Sequence, residues 1–289
     1  MPAPCIPIPC IIVPAHNEAG TIAEALAALA PIGQDAAAGQ LIVVCNGCSD
    51  DTAAIARAAA PAAVVLTLAE RGKIGAINQG LALAAPGSVI VMDADVVLSP
   101  HCLDALGAAL AQADVLAASP MPNFDLSRAP WPVRAYYRAF ASHPYLQHGV
   151  GGSGVFGLSA QGRAALGTLP PMIADDHYVR SRFALSAQRR VTCTRDGTPV
   201  WAKVRPPYSL RALIHTERRS QFGVRDVHER LLGDGPTAGR STTLRWMIAT
   251  ALRHPIDCAV FLAIKLWSQA TAGRYRPGGM HGWTTLRGG

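Results

Sequence analysis

SVIVMDAD, residues 88–95, is an apolar, β-branched run that stops on two carboxylates, Asp93 and Asp95. A run this short and continuous is the pattern of a strand covered on both faces, as in parallel sheets. Three more such runs precede it: IPCIIV at 8–13, LIVVC at 41–45 and VVLTL at 64–68. Helical patterns lie between them. Ile22, Leu26 and Leu29 share one helical face within 21–29, Ser49 precedes a helix with Asp50 and Asp51 in its first turn, and 75–84 and 101–111 also read as helices. This βαβα order predicts an α/β protein with a mostly parallel central sheet flanked by helices. Ligands of such sheets gather at the carboxyl ends of the strands.

Each predicted strand runs into polar residues. The first enters PAHNE, ending at Glu18; the second enters CNGCSDD, the third is followed by ERGKIGAIN, and the fourth ends in Asp93-Ala94-Asp95. These ends bring Glu18, Asn46, Asp50, Lys73, Asp93 and Asp95 to one edge of the sheet, a set that core packing does not explain. Asp93 and Asp95 suit a hard divalent cation, which takes oxygen ligands and leaves positions for phosphate oxygens. A calcium loop is excluded, because Leu98 stands where its sixth position needs glycine.

The second half is less regular. Residues 130–142 read as a helix with Trp131, Tyr136, Tyr137 and Phe140, and SGVFGLS at 153–159 as a strand after a glycine-rich turn. Helices are expected over 175–186 and, rich in arginine, over 209–232, followed by an amphipathic tail at 244–271. The organisation expected is one catalytic unit, 1–207, with a basic helical extension, 208–289, packed on it.

The 289 residues are 50% hydrophobic and 16% charged, which excludes bulk disorder. No run of about 18 uncharged apolar residues is present, so no spanning helix is expected. The start MPAPCIPIPC has no basic segment ahead of an apolar one, and the seven cysteines follow no disulfide spacing. Both point to a reducing cytoplasm. Cys45 and Cys48 form the one CxxC, too few ligands for a zinc site. The net charge of +7 is divided unevenly: residues 1–127 set three basic side chains against eleven carboxylates, net −8, and residues 128–289 carry net +15. Only Lys73, Lys203 and Lys265 are lysines. The arginines suit bidentate phosphate contacts, and no zinc-finger or RNA-recognition signature directs them to nucleic acid.

IIVPAHNEAGTI, IVVCNGCSDDT, RGKIGAINQGL, MDADVVLSP, GGSGVFGLSAQG and IADDHYVRSRF, spread over residues 8–185, together resemble the family-2 glycosyltransferases, inverting enzymes with the glycosyltransferase-A fold. The resemblance implies a nucleoside-diphosphate-sugar donor, with Pro14, Ala15 and Glu18 along base and ribose and Asn46 and Asp50 in the second-strand turn. Cys45 and Asn46 replace the family's frequent Asp-Asp pair, which leaves the preferred base open. Lys73 corresponds to the lysine beside the donor diphosphate. Asp95 is expected as the direct metal ligand (Mn²⁺ or Mg²⁺), with Asp93 on ribose or metal. Asp176 corresponds to the catalytic base, which takes the proton of the acceptor hydroxyl. Asp175 replaces the family's glutamate beside it, and Arg182 matches a later arginine. Gly152, Ser153 and Gly154 form a backbone turn on the acceptor side.

GVGGSG, residues 149–154, fits the GxGxxG spacing, but HPYLQH precedes it and a strand-like VFGLS follows, the wrong context for a dinucleotide site. A nucleophile elbow fails because Val155 stands at its last glycine. Arg211, Arg218, Arg219 and Arg225 are candidates to close over a diphosphate or to reach a phosphate-bearing acceptor. His215 is a candidate extra metal ligand, against the commoner structural histidine. The QxxRW motif of polysaccharide synthases is absent, which favours transfer of one sugar to a glycan, lipid-linked or small-molecule acceptor. In the tail, Ile256, Val260, Phe261, Ile264 and Trp267 recur at helical spacing, with Trp246 upstream and Arg245, Arg253 and Lys265 as flanks. That stripe fits an anionic membrane surface, packing onto the catalytic unit, or dimerisation. Two rivals to glycosyl transfer stand: a nucleotidyltransferase, and a non-catalytic peripheral protein binding glycan or membrane.

Overall fold

The structure, a computed structural model, describes residues 8–232 and 240–274. Nine strands form one sheet: β1 (Cys10–Ala15), β2 (Leu41–Asn46), β3 (Val64–Leu68), β4 (Val89–Met92), β5 (Val97–Leu98), β6 (Ala117–Phe124), β7 (Val155–Leu158), β8 (Gln188–Val191) and β9 (Trp201–Val204). The order is β3-β2-β1-β4-β7-β6-β9-β5, with β8 also paired to β6. β1, β2, β3 and β4 run parallel, as do β8 and β9 with β6; the pairs of β7 with β4 and β6, and of β5 with β9, are antiparallel. The four apolar runs read from the sequence are thus the four parallel strands.

Alternate residues of these strands feed two cores, as the two-residue side-chain period requires. Ile11, Val13, Val43 and Ile90 face Leu26 and Leu106 on one side of the sheet. Ile12, Ile42, Val44 and Val91 face Ile77, Phe156 and Val179 on the other. The helix Lys73–Leu83 lies close enough to β1 that a Cβ at Gly80 would fall 2.4 Å from Ile12 Cγ2, so only glycine fits there. A third core joins the helix Trp131–Ala141 to the C-terminal helices, through Tyr136, Tyr137 and Leu213 against Phe261 and Ile264.

Several expectations shift. The tail is two helices, Arg240–Arg253 and Pro255–Thr271, broken at His254. Its apolar stripe is divided: Phe261 and Ile264 are buried in the third core, whereas Ile256 and Trp267 are exposed. Lys265 does not flank a membrane face. Its Nζ lies 2.6 Å from Glu217 Oε2, over the rings of Tyr136, Phe140 and Phe261. The helix expected over 175–186 ends at Arg182, where Phe183 is extended. No helix among the described residues is long and apolar enough to cross a membrane.

Candidate active site

The turns after β1 and β2 hold each other. The Asn46 side chain is fully buried; its Nδ2 donates to Ala15 O at 2.7 Å, and its Oδ1 accepts from Gly72 N at 2.9 Å. Asn46 therefore ties three strand ends together, with both its amide nitrogen and its amide oxygen engaged by the protein. Asp50 is likewise committed: Oδ1 accepts from Thr52 N at 3.1 Å and from Thr52 Oγ1, and Oδ2 accepts from Ala19 N at 3.1 Å. Burial pushes the Asp50 carboxyl up, but these hydrogen bonds outweigh it and hold it below its usual range. Pro14 and Ala15 are buried at the end of β1.

Beyond these turns, at the carboxyl ends of β1 and β4, a cavity of about 320 Å³ opens. Glu18, Lys73, Asp93, Asp95, Asp175 and Asp176 line it, together with Gly152, Gly154 and Arg219. Pro14, Ala15, Asn46, Asp50, Ser153 and Arg218 do not. Lys73, at the start of its helix, sits between two carboxylates: Nζ is 2.7 Å from Asp93 Oδ1 and 2.9 Å from Asp175 Oδ2. Burial works against its charge, and Asp175 and Asp93 more than offset this, so its pKa is raised. Asp175 is only 5% exposed. Burial pushes its carboxyl up, Lys73 pulls it down, Asp93 and Asp176 push it up again, and the net direction is upward. Asp175 lies one residue before the expected base.

Asp176 faces the glycine-rich turn. Its Oδ2 accepts from Gly152 N at 3.1 Å and its Oδ1 from His177 N at 2.7 Å. Gly152 has φ +78°, and a Cβ there would fall 2.3 Å from Leu146 Cδ2, so this turn needs glycine on two grounds. Two arginines that the sequence reading passed over brace it. Arg190 donates to Gly151 O and Pro120 O, each at 2.7 Å, and Arg180 to Val150 O at 2.9 Å while stacking on Tyr145. Sequence offered no signal for them beyond a general excess of arginine. Ser153 is buried beneath the turn, Oγ to Oγ with Ser119 at 2.8 Å. Arg182 is exposed beside the Tyr178 ring.

The helix Leu210–Val227 closes the far wall with His215, Thr216, Arg219 and Ser220. Its neighbouring arginine, Arg218, points away and donates from Nε to Thr271 Oγ1 at 2.6 Å. Phe124, Tyr137 and Phe140 form an aromatic wall. The oxygen donors that could serve a hard cation are Asp93 and Asp95; among the described residues no three His, Cys, Asp or Glu side chains gather as a cage. Such a donor pair fits a divalent ion that takes its remaining ligands from a bound phosphate and water. A cavity lined by a cationic lysine and by carboxylates suits displacement at a centre carrying an anionic leaving group.

Solved structures identify the class of fold. A mannosyltransferase from Pyrobaculum calidifontis, in complex with GDP-Man and Mn²⁺, aligns with 97% of this chain and 84% of its own, at 22% identity and a TM-score of 0.58. Glucosyl-3-phosphoglycerate synthase from Mycobacterium tuberculosis, in complex with Mn²⁺, UDP and phosphoglyceric acid, aligns over 80% of each chain at 19% identity and a TM-score of 0.53. The fold is the glycosyltransferase-A fold. No curated protein sequence matches. The sequence model of glycosyl transferase family 2 matches residues 10–160, and the chain belongs to that family; it is a transferase of glycosyl groups.

Proposed function

We propose that this glycosyltransferase is inverting and metal-assisted, and that it moves one sugar from a nucleoside diphosphate to a hydroxyl acceptor with Asp176 as base. The observation that supports this reading is the meeting of Asp93, Asp95, Lys73 and Asp176 around one cavity from three separate segments. The similar solved structures hold GDP-Man with Mn²⁺, or UDP with Mn²⁺ or Mg²⁺, which supports the donor class and the ion.

Asp93 and Asp95 would hold the divalent ion, whose Lewis acidity offsets the charge that develops on the departing diphosphate. Lys73, fixed by Asp93 and Asp175, adds a positive charge on the donor side. Asp176, on the cavity lining and held by the Gly152 and His177 N–H groups, receives the acceptor hydroxyl proton as that oxygen attacks the anomeric carbon. The new C–O bond forms as the bond to the diphosphate oxygen breaks, and attack from the opposite face inverts the centre. Arg219 on the far wall suits an anionic group on acceptor or donor. Glu18 takes the ribose side. The division at 207 into catalytic unit and extension belongs to this reading, although the helix Leu210–Val227 supplies part of the cavity wall.

Product analysis tests the proposal. Incubation with a panel of nucleotide sugars, Mn²⁺ and hydroxyl acceptors releases a nucleoside diphosphate. Pyrophosphate release would establish the nucleotidyltransferase instead, and no turnover with any donor would favour a binding protein.

A further inference from the structure

The two C-terminal helices turn Trp246 and Phe261 inward and leave apolar side chains outside. Trp246 packs edge-on against Phe261 at 5.3 Å and donates to Ser142 Oγ at 2.9 Å, while Phe261 stacks on Tyr136 at 5.1 Å. The outward residues include Leu244, Ile248 and Leu252, one every fourth position, then Ile256, Leu266 and Trp267 on the next helix. Each is more than half exposed, and Leu252 reaches 81%. Between Ile256 and Leu266 lie exposed Ala259 and Ala263, which keep the face apolar. Isolated exposed hydrophobics are ordinary, but six on one helical pair form a patch that marks an interaction site.

Charge selects the occupant. Among the described residues of the pair the exposed cations are Arg245 and Arg253, with His254 at the break. The one carboxylate on either helix is Asp257, buried and gripped by Arg138 at 2.8 Å and 2.6 Å. A second copy docked through the same face would bring arginines together with no exposed acid from these helices to answer them. A lipid surface with anionic headgroups meets both the apolar face and the cationic rim. We propose that this helical pair is a monotopic membrane-docking surface, seated at the headgroup–acyl boundary of a bilayer containing anionic lipid. It differs from the stripe read from sequence, two of whose members are buried. Phe140 lines the cavity and also stacks on Phe261, so the docked pair lies one side chain from the cavity. The proposal does not depend on the sugar chemistry.

The full chain is sedimented with phosphatidylcholine vesicles, with or without phosphatidylglycerol. Binding is expected to the mixed vesicles, and about tenfold weaker binding to phosphatidylcholine alone or at high salt. The double variant Leu252→Asp/Ile256→Asp loses at least tenfold in binding with unchanged circular dichroism and Tm, since both side chains are exposed. Arg245→Gln/Arg253→Gln loses the preference for phosphatidylglycerol. The proposal is overturned by failure to sediment with mixed vesicles, or by undiminished binding of the double aspartate variant. Self-association that the aspartates abolish, without vesicle binding, would also overturn it and assign the face to a second copy.

Discussion

Replacing Lys73 with methionine tests how the charges lining the cavity are balanced. The Lys73 ammonium lies 2.7 Å from Asp93 and 2.9 Å from Asp175. At an effective dielectric of about 20, each contact is worth about 6 kcal/mol before the cost of desolvation. Most of that gain is offset in the folded protein, but removing one partner leaves the other exposed to the full penalty. Asp175 is then a buried carboxylate with no cation, and the expected destabilisation at pH 7 is about 3 kcal/mol. Protonation offers an escape. The folded pKa of Asp175 is already raised above its ordinary value, and without Lys73 it rises further. A carboxyl with a raised folded pKa contributes stability that is fully present below its unfolded value of about 4 and is lost as pH rises through the folded value. The penalty in Lys73→Met therefore shrinks as pH falls from 7 towards 5, by at most about 1.4 kcal/mol per pH unit. Urea unfolding of wild type, Lys73→Met and Lys73→Met/Asp175→Asn at both pH values measures this. The double variant recovers most of the loss at pH 7 and lacks the pH dependence that Asp175 brings to Lys73→Met. A loss under about 0.5 kcal/mol, or the same loss at both pH values with no recovery in the double variant, would refute the electrostatic role.

Three other substitutions probe separate parts of the account. Asp176→Asn lowers kcat by about 10²–10⁴-fold and leaves the donor KM within a few-fold; initial rates that match wild type would remove Asp176 as base. Gly152→Ala forces a side chain at φ +78° against Leu146, costs about 1–2 kcal/mol for the backbone alone and disturbs the N–H that holds Asp176. Both Tm and kcat should fall, and an unchanged kcat would show that the turn does not position Asp176. Lys265→Met strips the cation from Glu217, which also accepts from Tyr136 Oη at 2.6 Å, and should destabilise by about 2–4 kcal/mol in urea unfolding. Glu217→Gln in the same chain should restore most of it, whereas a neutral Lys265→Met would place that lysine outside the packing of the C-terminal helices.

The parallel strands were legible because β1 to β4 are apolar runs with turn residues at their ends, and the carboxylates followed from where those runs stop. β6 was hidden by Pro120 and Pro122, which argue against a strand. They are tolerated because β6 has β7 and β8 on both sides only at Ala117 and Ala118; from Ser119 onward it has one neighbour, and a missing N–H can face the free side. β8 and β9, four residues each with arginine or lysine inside them, carry too little apolar pattern to stand out. Residue type pointed to Asp93, Asp95, Lys73 and Asp176, whose charges need solvent or a partner, and all four line the cavity. Asn46 and Arg218 do not line the cavity and bond within the protein, since amides and guanidinia serve structure as readily as ligands. Periodicity found the apolar C-terminal residues but could not say which of them face inward, because that depends on the helix break at His254 and on the aromatic partners from Trp131–Ala141.

The most direct test is anomalous diffraction from crystals soaked with Mn²⁺ and UDP or GDP. The expected result is a manganese peak in the cavity, bound by Asp95 or Asp93 and shared with diphosphate oxygens, with Lys73 beside the phosphates and Asp176 within the same cavity. A nucleotide ordered elsewhere, or one seated in the cavity with no manganese between it and these aspartates, would contradict the proposed arrangement.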